Sequence, residues 1–466
     1  MIMLKNEDQD QRKMKMSGKK QDRIPAPPDG GYGWVVLIAC FLISFIIDGC
    51  MYSFGIILPD IKKYYDVTQE KANLLASLNT GFLFCSGPIV AGLTNQLGIR
   101  PVVMGGAVLT ALCYVSSAFS PSIYLVMISY GIIGGVVTGC TYIASLIIVA
   151  QYFDKLQGIA TGVTMAGSGV GAFAFAKGSQ ILVDNFDWKY TLIILGSIIL
   201  ECCLMGALLR PVPTKPKPNS FKDDPTKEVH TFTGSVLSLA EPEKKTGCLS
   251  LVVNILKEMT NLSLLTKNMG FLFITLSNFF VFSGYFIPFL FVPIRAKELG
   301  IADASSILGL IGLVNIPARL AFGFLADARY LAPINLNTLC CIVATASLWT
   351  YSFMNSYYLQ LVYAVVFATG IAGINCVTTP YLKDIVGMEK FSNAMGIVNL
   401  FRGFGCFLGP FLGGFISDKF NSTLAAFLYS SICFSVGLVF ALLVSFGSKC
   451  GFIKSPKYEA TSRNEI

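Results

Sequence analysis

The sequence predicts an all-α membrane protein with twelve transmembrane helices arranged as two six-helix bundles. Three observations carry this prediction: the composition, the number of long apolar runs and an internal repeat. Hydrophobic residues make up 54% of the 466 positions and charged residues only 13%, with a mean hydropathy of +0.64. So few charges cannot keep the surface of a water-soluble protein hydrated. The composition therefore excludes an ordinary cytosolic enzyme and a disordered chain.

Twelve apolar runs are long enough to cross a bilayer as helices, which takes about 20 residues each. Short polar or proline-containing loops separate the runs. The exception is the hydrophilic stretch 211–265, which is rich in Pro, Lys, Asp and Ser and divides the runs into six and six. The predicted spans are 34–58, 72–95, 101–119, 122–149, 156–178, 189–209, 268–294, 305–326, 334–352, 357–382, 391–416 and 422–446.

The net charge of +8 is concentrated outside the apolar runs. Basic clusters beside long apolar spans indicate the cytoplasmic side of a membrane, so they favour contact with a lipid bilayer over nucleic-acid binding. Both termini and the central linker are therefore predicted to be cytoplasmic. A short helix is expected near 249–258. The predicted segments are a basic N-terminus with its motif at 1–33, a first bundle at 34–210, a largely disordered linker at 211–265, a second bundle at 266–446 and a tail at 447–466.

Residues that usually carry catalysis or bind metals are scarce. The fourteen cysteines lie mostly inside apolar runs without CxxC spacing, and the single histidine, His230, is in the linker. Neither an HExxH nor a GxSxG motif occurs. The sequence therefore predicts no metal site, no cofactor and no enzyme activity.

The two halves of the chain resemble each other at an almost constant offset. The segment 160–163 in the fifth run matches 394–397 in the eleventh, an offset of 234, because 394 − 160 = 234. The segment 91–95 after the second run matches 323–327 after the eighth, an offset of 232, because 323 − 91 = 232. These matches predict a duplicated six-helix unit. The plan is similar to that of the major facilitator superfamily, whose substrate site lies between the halves near the membrane midplane.

Two motifs resemble one branch of that superfamily, the monocarboxylate transporter family. The first helix of the family follows an Asp-Gly-Gly-Trp-Gly-Trp motif, and the fifth begins with Tyr-Phe, basic residues and then small residues. In this chain Tyr32 replaces the first Trp of the first motif, and Lys155 alone remains of the basic cluster in the second. The motifs read Pro27-Pro28-Asp29-Gly30-Gly31-Tyr32-Gly33-Trp34 and Tyr152-Phe153-Asp154-Lys155-Leu156-Gln157-Gly158.

The resemblance implies a multi-pass transporter, with the plasma membrane as the expected location. Family members carry small monocarboxylates, some of them with a proton, while others move aromatic amino acids, thyroid hormones, creatine or carnitine. We therefore expect alternating-access transport of a small monocarboxylate or a related carboxylate-bearing solute, with proton linkage left open. The alternatives are a proton-independent facilitator of a zwitterionic, amino-acid-like solute and a receptor-like protein that does not transport. Some members need a single-pass, immunoglobulin-like ancillary glycoprotein, a partner that the resemblance allows here.

Arg319, in the middle of the eighth run, falls on the substrate-binding arginine of the family. The resemblance implies that its planar guanidinium holds a carboxylate by two parallel hydrogen bonds, and a structural ion pair is the alternative. Proton-coupled members have an aspartate four residues earlier, where this chain has Asn315. They also have a lysine in the first helix, where this chain has Tyr52. Proton symport by that mechanism is therefore in doubt.

Asp48 precedes Tyr52 by four residues, so both side chains lie on one face of the first helix. Three roles are open to this acid. It can take up a transported proton, bind a cationic group on a zwitterionic substrate, or pair with Arg319 or Arg402. Arg402, in the eleventh run, is a candidate second substrate anchor or a salt-bridge gate.

Three further residues are candidates by position. Asn375 falls where the family has a small polar cavity residue. Ile371 falls where better-known members have a bulky phenylalanine, so it is expected to widen the cavity, and ordinary lipid-facing or core packing is the alternative for both positions. Asp327 fits a loop motif of the superfamily and is expected to latch the bundles by pairing with a basic residue or a helix N-terminus. Its repeat counterpart, Asn95, carries no charge and predicts a weaker latch.

Overall fold

The structure, a computed structural model, describes residues 23–25, 28–67, 69–212, 214–216, 263–301, 304–328 and 331–449. Within these residues eleven helices are long and apolar enough to cross a membrane, and a bent helix pair brings the number to twelve. The predicted class of all-α membrane protein is confirmed, and the chain is a multi-pass membrane protein. The spans are Gly33–Tyr65, Gln69–Cys85 with Gly87–Leu97, Ile99–Ala118, Ile123–Tyr152, Gln157–Phe186, Trp188–Leu208, Met269–Glu298, Ala304–Asp327, Pro333–Phe353, Tyr357–Val386, Phe391–Phe420 and Thr423–Lys449.

Most helices run beyond the apolar stretch that predicted them. The first span, predicted at 34–58, continues to Tyr65 through a polar turn and ends at Asp66, whose backbone is left-handed with φ of 48°. Backbone hydrogen bonds carry a helix into the polar zone at a membrane surface, where hydropathy gives no signal.

Two spans are broken near their middle, and a proline follows each break. The second span bends by 43° between Cys85 and Gly87, and Pro88 has no N–H with which to continue the helical ladder. The seventh span is interrupted at Phe286, two residues before Pro288. Both breaks lie at the level of the cavity described below, so they set the positions of its wall residues.

Each half forms its own bundle, held by close side-chain packing. In the first bundle, Phe54 stacks on Tyr130 with ring centroids 4.2 Å apart, which joins the first span to the fourth. In the second bundle, Tyr351 stacks on Phe427 at 3.8 Å, which joins the ninth span to the twelfth. Helices in lipid associate through such packing, because the lipid tails are as apolar as the side chains.

The bundles meet along two crossings that the internal repeat relates. The second span packs on the eleventh, and the fifth packs on the eighth. Where the fifth span crosses the eighth, a side chain added at Gly162 would meet the backbone of Gly323. Where the second span crosses the eleventh, a side chain added at Gly396 would press on Ala91 and on the backbone of Gly87. Gly396 and Ala91 are the repeat equivalents of Gly162 and Gly323, so one close contact occurs twice.

A short two-stranded antiparallel sheet lies outside the helices, which the all-α prediction did not include. It pairs Arg23–Pro25 with Thr214–Pro216, so it joins the N-terminal segment to the start of the linker. Several predictions fall outside the described residues: the basic N-terminus up to residue 22, the linker helix near 249–258, most of the linker and the tail from residue 450.

Candidate substrate cavity

A cavity lies between the two bundles, among the residues that the structure describes. The first, second, fourth and fifth spans supply one side of its wall, and the seventh, eighth, tenth and eleventh supply the other. Its charged and polar lining residues are Asp48, Tyr52, Tyr142, Ser168, Tyr285, Arg319, Asn375, Asn399 and Arg402. Five of the sequence candidates are thus brought together around one space.

Arg319 reaches from the eighth span towards the first bundle. Its side chain is buried, and its Nη1 donates a hydrogen bond to the Met165 carbonyl of the fifth span. Its Nε has no hydrogen-bond partner in the described part of the chain, and Nη2 makes no hydrogen bond to the described residues. The guanidinium is therefore fixed at one nitrogen and retains donors for a further acceptor.

Asp48 lines the cavity from the first span and is only 4% exposed. Tyr52 lies one turn later on the same face and is 38% exposed. Between described residues, no ion pair joins Asp48 to Arg319 or Arg402. The ion pair with an arginine that was one of the three roles open to Asp48 is therefore absent from this conformation between described residues. The Asp48 side chain lines the cavity instead.

Arg402 is buried on the eleventh span inside a network of neutral groups. Its Nε and Nη2 donate to Asn278 Oδ1 at 2.9 and 2.7 Å, and Nη2 also donates to Thr378 Oγ1 at 2.6 Å. Its guanidinium carbon lies 4.5 Å from the ring centroid of Phe282. No acidic side chain contacts it among the described residues, so the salt-bridge gate considered for Arg402 is absent from this conformation.

Two candidates lie off the cavity wall. Asn315 is buried one turn before Arg319, where its Nδ2 donates to the Ile311 carbonyl at 2.8 Å. Ile371 is fully buried in the core of the second bundle, which corrects the expectation that it widens the cavity and agrees with the alternative of core packing. Its carbonyl, and not its side chain, is close to the site: it accepts a hydrogen bond at 3.2 Å from Nδ2 of Asn375, which also donates to Tyr285 Oη at 3.1 Å.

The sequence reasoning missed several wall residues that the internal repeat could have revealed. Met165 and Ser168 line the cavity from the fifth span. Adding the offset of 234 gives 399 and 402, the positions of Asn399 and Arg402, which line it from the eleventh span. Equivalent positions of a duplicated unit face one central space, so each candidate in one half indicates a second in the other.

Aromatic rings form much of the remaining wall. Phe282 and Tyr285 stack at 5.1 Å in the seventh span, and Phe84 of the second span contacts Phe282 edge-on at 5.7 Å. The contact between Phe84 and Phe282 joins the two bundles, and Arg402 lies over the Phe282 ring. The cavity therefore combines a few fixed charges with apolar surface, which is typical of sites for small molecules.

Comparison with known proteins agrees with this arrangement. A family model described as Major Facilitator Superfamily matches residues 40–410. Human "Monocarboxylate transporter 2" is 30% identical over 410 residues, which cover 85% of this chain and 81% of that protein. The chain belongs to the monocarboxylate transporter family. "Monocarboxylate transporter 3" of Gallus gallus is 26% identical over 472 residues, covering 96% of this chain and 84% of that protein.

Solved structures agree on the fold of this monocarboxylate transporter family member. The proton:xylose symporter XylE aligns with a TM-score of 0.62 at 14% identity, covering 91% of this chain and 96% of its own. The human organic anion transporter MFSD10 aligns with a TM-score of 0.63 at 13% identity, covering 89% and 100%. Because the relatives and structural neighbours are transporters, this family member is a transporter and not an enzyme.

The transporter is closed at one end, which we call the linker end: the end where Gly33 begins the first span and Leu208 ends the sixth. Asp327, at the end of the eighth span, accepts hydrogen bonds there from the backbone N–H groups of Gly158 and Ile159, at 2.6 and 2.7 Å. These N–H groups lie in the first turn of the fifth span and have no partner within their helix. Asp327 therefore caps a helix of the opposite bundle, one of the two arrangements expected for it.

A salt bridge beside this cap also joins the bundles. Lys383 of the tenth span contacts Asp154 Oδ1 at 2.8 Å and donates to the Phe153 carbonyl at 3.3 Å. Lys155, the predicted basic residue of the fifth-span motif, is exposed and contributes its backbone N–H instead. The bridging cation is thus supplied by the other bundle, which the sequence reasoning did not foresee.

The N-terminal motif fixes the loop that carries Asp154. Asp29 Oδ1 accepts from the backbone N–H groups of Asp154 and Lys155 at 2.7 and 2.9 Å. Asp29 and Gly31 have positive φ, 46° and 56°, and the Gly30 carbonyl accepts the N–H of Gly33. The backbone of this motif therefore makes a tight turn that only glycine adopts without strain at Gly31.

Trp34 completes the motif's contact with the loop. Its ring meets that of Phe153 edge-on at 5.6 Å.

Asn95, the repeat counterpart of Asp327, donates from Nδ2 to Asn393 Oδ1 at 2.8 Å. This neutral amide contact lies at the place equivalent to the Asp327 cap, because 95 + 232 = 327 and 159 + 234 = 393.

Proposed function

We propose that the protein carries small carboxylate-bearing solutes, monocarboxylates foremost, across a membrane by alternating access, with Arg319 binding the carboxylate. The observation that carries the proposal is the state of Arg319: buried, on the cavity wall, held by one backbone carbonyl and without an acidic partner among the described residues. A buried guanidinium with spare donors favours an anion, because little water or counter-charge offsets its own charge there. The names of the relatives support a monocarboxylate as cargo.

The closed linker end supports the transport cycle that we propose. Asp327, Lys383 and Asn95 hold the bundles together on that side of the cavity. With the linker and both termini in the cytoplasm of a cell bounded by the plasma membrane, this conformation is the outward-facing state. Binding of the solute then precedes the release of these contacts and the opening of the linker end.

We further propose that Asp48 carries the proton when transport is proton-linked. The aspartate of the family mechanism is replaced by Asn315, an amide that does not titrate. Asp48 is the acidic side chain on the wall, and no ion pair joins it to Arg319 among the described residues. The second candidate function rests on the same observation: an ionised Asp48 binds the cationic group of a zwitterion whose carboxylate is held by Arg319.

Uptake into liposomes separates these functions. The purified protein is tested with labelled lactate, pyruvate and a panel of zwitterions, with and without an inward proton gradient. Lactate uptake that the gradient accelerates, and that loses its gradient dependence in Asp48→Asn, supports the proton-linked carrier. Uptake of a zwitterion without gradient dependence supports the second candidate. Absence of any carboxylate uptake in protein that is folded and reconstituted contradicts the proposed function.

A further inference from the structure

The cavity holds two buried arginines and one acid. Arg319 and Arg402 are 6% and 4% exposed, and Asp48 is 4% exposed. All three line the same space, and no ion pair joins the acid to either arginine among the described residues. With Asp48 ionised the wall has one net positive charge, and with Asp48 protonated it has two. A single carboxylate on Arg319 therefore leaves the second guanidinium with neutral partners alone.

The network around Arg402 holds its guanidinium in one orientation. Asn278 Nδ2 donates to Tyr381 Oη at 2.9 Å and to the Ile274 carbonyl at 2.8 Å, which turns its Oδ1 towards Arg402. Thr378 donates to the Ile374 carbonyl at 2.7 Å, which leaves the Thr378 oxygen as an acceptor for Arg402. Arg402 is therefore positioned before a ligand arrives, which reduces the entropy lost on binding.

One terminal nitrogen of each guanidinium remains available. Arg402 uses Nε and Nη2 within its network, and Arg319 uses Nη1 on the Met165 carbonyl. Arg402 Nη1 and Arg319 Nη2 make no hydrogen bond to another described residue. Each of these two nitrogens keeps some exposed surface. Both nitrogens are thus accessible on the cavity wall. The two arginines offer separate donors for two acceptor groups of one ligand.

Asn399 adds a second unpaired donor beside Arg402. It lies three residues earlier on the same helix, so both side chains face the same side, and both line the cavity. Asn399 is 1% exposed, and its Nδ2 has no hydrogen-bond partner among the described residues. A buried amide donor without a partner is unfavourable, and a ligand oxygen that accepts its hydrogen bond removes this penalty. The wall near Arg402 is therefore built for an anionic or strongly accepting group.

We propose that Arg402 and Asn399 form a second anion-binding point, so that the cavity takes small dicarboxylates with one carboxylate on Arg319 and the other on Arg402. The proposal rests on the proposed function, because it keeps Arg319 as the first carboxylate partner. It goes further by naming a substrate class, and it assigns to Arg402 the discrimination between one and two carboxylates.

Charge balance adds a proton to this ligand. The ionisable side chains on the wall are Asp48, the two arginines and the tyrosines at 52, 142 and 285. A dianion neutralises both arginines, and the loaded cavity is neutral when one further proton resides on Asp48 or on the ligand. A monocarboxylate on Arg319 gives a neutral cavity with Asp48 ionised, and a proton carried by Asp48 then leaves one net positive charge.

Competition for uptake tests the proposal. Liposomes containing the full chain take up a labelled monocarboxylate, and unlabelled straight-chain dicarboxylates of three to six carbons compete with monocarboxylates of equal length. We expect at least one dicarboxylate to compete at a concentration about tenfold lower than its matched monocarboxylate. Arg402→Gln should remove this preference, and Arg402→Lys, which keeps the charge, should retain part of it. Ligand-induced thermal stabilisation of the purified variants gives the same comparison without transport.

The outcomes distinguish failure of the second binding point from failure of the proposed function. Transport of monocarboxylates without competition or stabilisation by any dicarboxylate overturns the second binding point and leaves the proposed function standing. A dicarboxylate preference that survives unchanged in folded Arg402→Gln also overturns the role of Arg402. If neither class is bound or carried by folded protein, the proposed function fails, and the second binding point fails with it.

Discussion

Asp327 of the second bundle caps the helix of the first bundle that begins beside Gly158, with its Oδ1 2.6 Å from the Gly158 nitrogen. The same carboxylate accepts the next N–H through Oδ2. The contact joins an anion to the positive end of a helix dipole across the line where the bundles must separate. It therefore stabilises the conformation that is closed at the linker end and disappears when that end opens.

The first prediction concerns this cap. Asp327→Asn removes the charge and one of the two acceptors, so we expect the linker end to open more often, by a factor of about 5–150. Cys376 reports the change, because it is buried beneath the contact and donates to the Arg319 carbonyl at 3.3 Å. Its alkylation, followed by mass spectrometry of the labelled peptide, should accelerate. The matched control is Asn95→Ala, which removes the neutral contact at the equivalent place and should have a smaller effect. Equal rates in wild type and Asp327→Asn would show that the cap does not hold the linker end closed.

The second prediction uses the close approach of the bundles at Gly158. A methyl group there would collide with the Gly323 carbonyl and press on Asp327. Gly158→Ala should therefore weaken closure at the linker end, and it should also accelerate alkylation of Cys376. The matched control is Gly178→Ala on the same helix, where an added methyl group meets nothing within 4 Å. If the two alanine variants label at the same rate, helix propensity and not the crossing explains the effect.

The third prediction concerns the N-terminal motif. Asp29→Ala removes the acceptor for two backbone N–H groups in the loop after the fourth span, a loss of about 0.5–2 kcal/mol for contacts of this kind. We expect a lower apparent Tm in detergent and a weaker Lys383–Asp154 bridge. Lys155→Ala keeps its backbone N–H and should leave the apparent Tm close to that of wild type. A larger loss in Lys155→Ala than in Asp29→Ala would mean that the lysine side chain, and not the Asp29 contact, carries the motif's role.

Hydropathy and the internal repeat predicted the fold because both follow from local physical requirements. A span must be apolar over about 20 residues whatever it contacts, so the sequence alone reveals it. The repeat added the relation between halves, which appears in the structure as Gly162 on Gly323 and Ala91 on Gly396. The short sheet of Arg23–Pro25 gave no such signal, because three residues are too few for a periodic pattern.

The site was predicted less completely, because it depends on contacts between distant residues. Asp48 and Arg402 were candidate site residues because they are charges inside apolar runs, and both line the cavity wall. The direction of the Ile371 side chain depends on how the tenth span is rotated against its neighbours, which hydropathy does not determine. The bridge from Lys383 to Asp154 joins residues 229 apart, since 383 − 154 = 229, and nothing in either local sequence indicates the other.

The central claim is that Arg319 binds the carboxylate of the transported solute. The most direct measurement is uptake of labelled lactate by liposomes containing wild type, Arg319→Gln or Arg319→Lys, with Arg100→Gln as the matched control outside the cavity. We expect Arg319→Gln to lose at least roughly 30-fold in uptake and Arg319→Lys to lose less, while Arg100→Gln transports normally, because removing one partner of a buried charge pair costs about 2–5 kcal/mol. Uptake in folded Arg319→Gln at the level of the Arg100→Gln control would contradict the account.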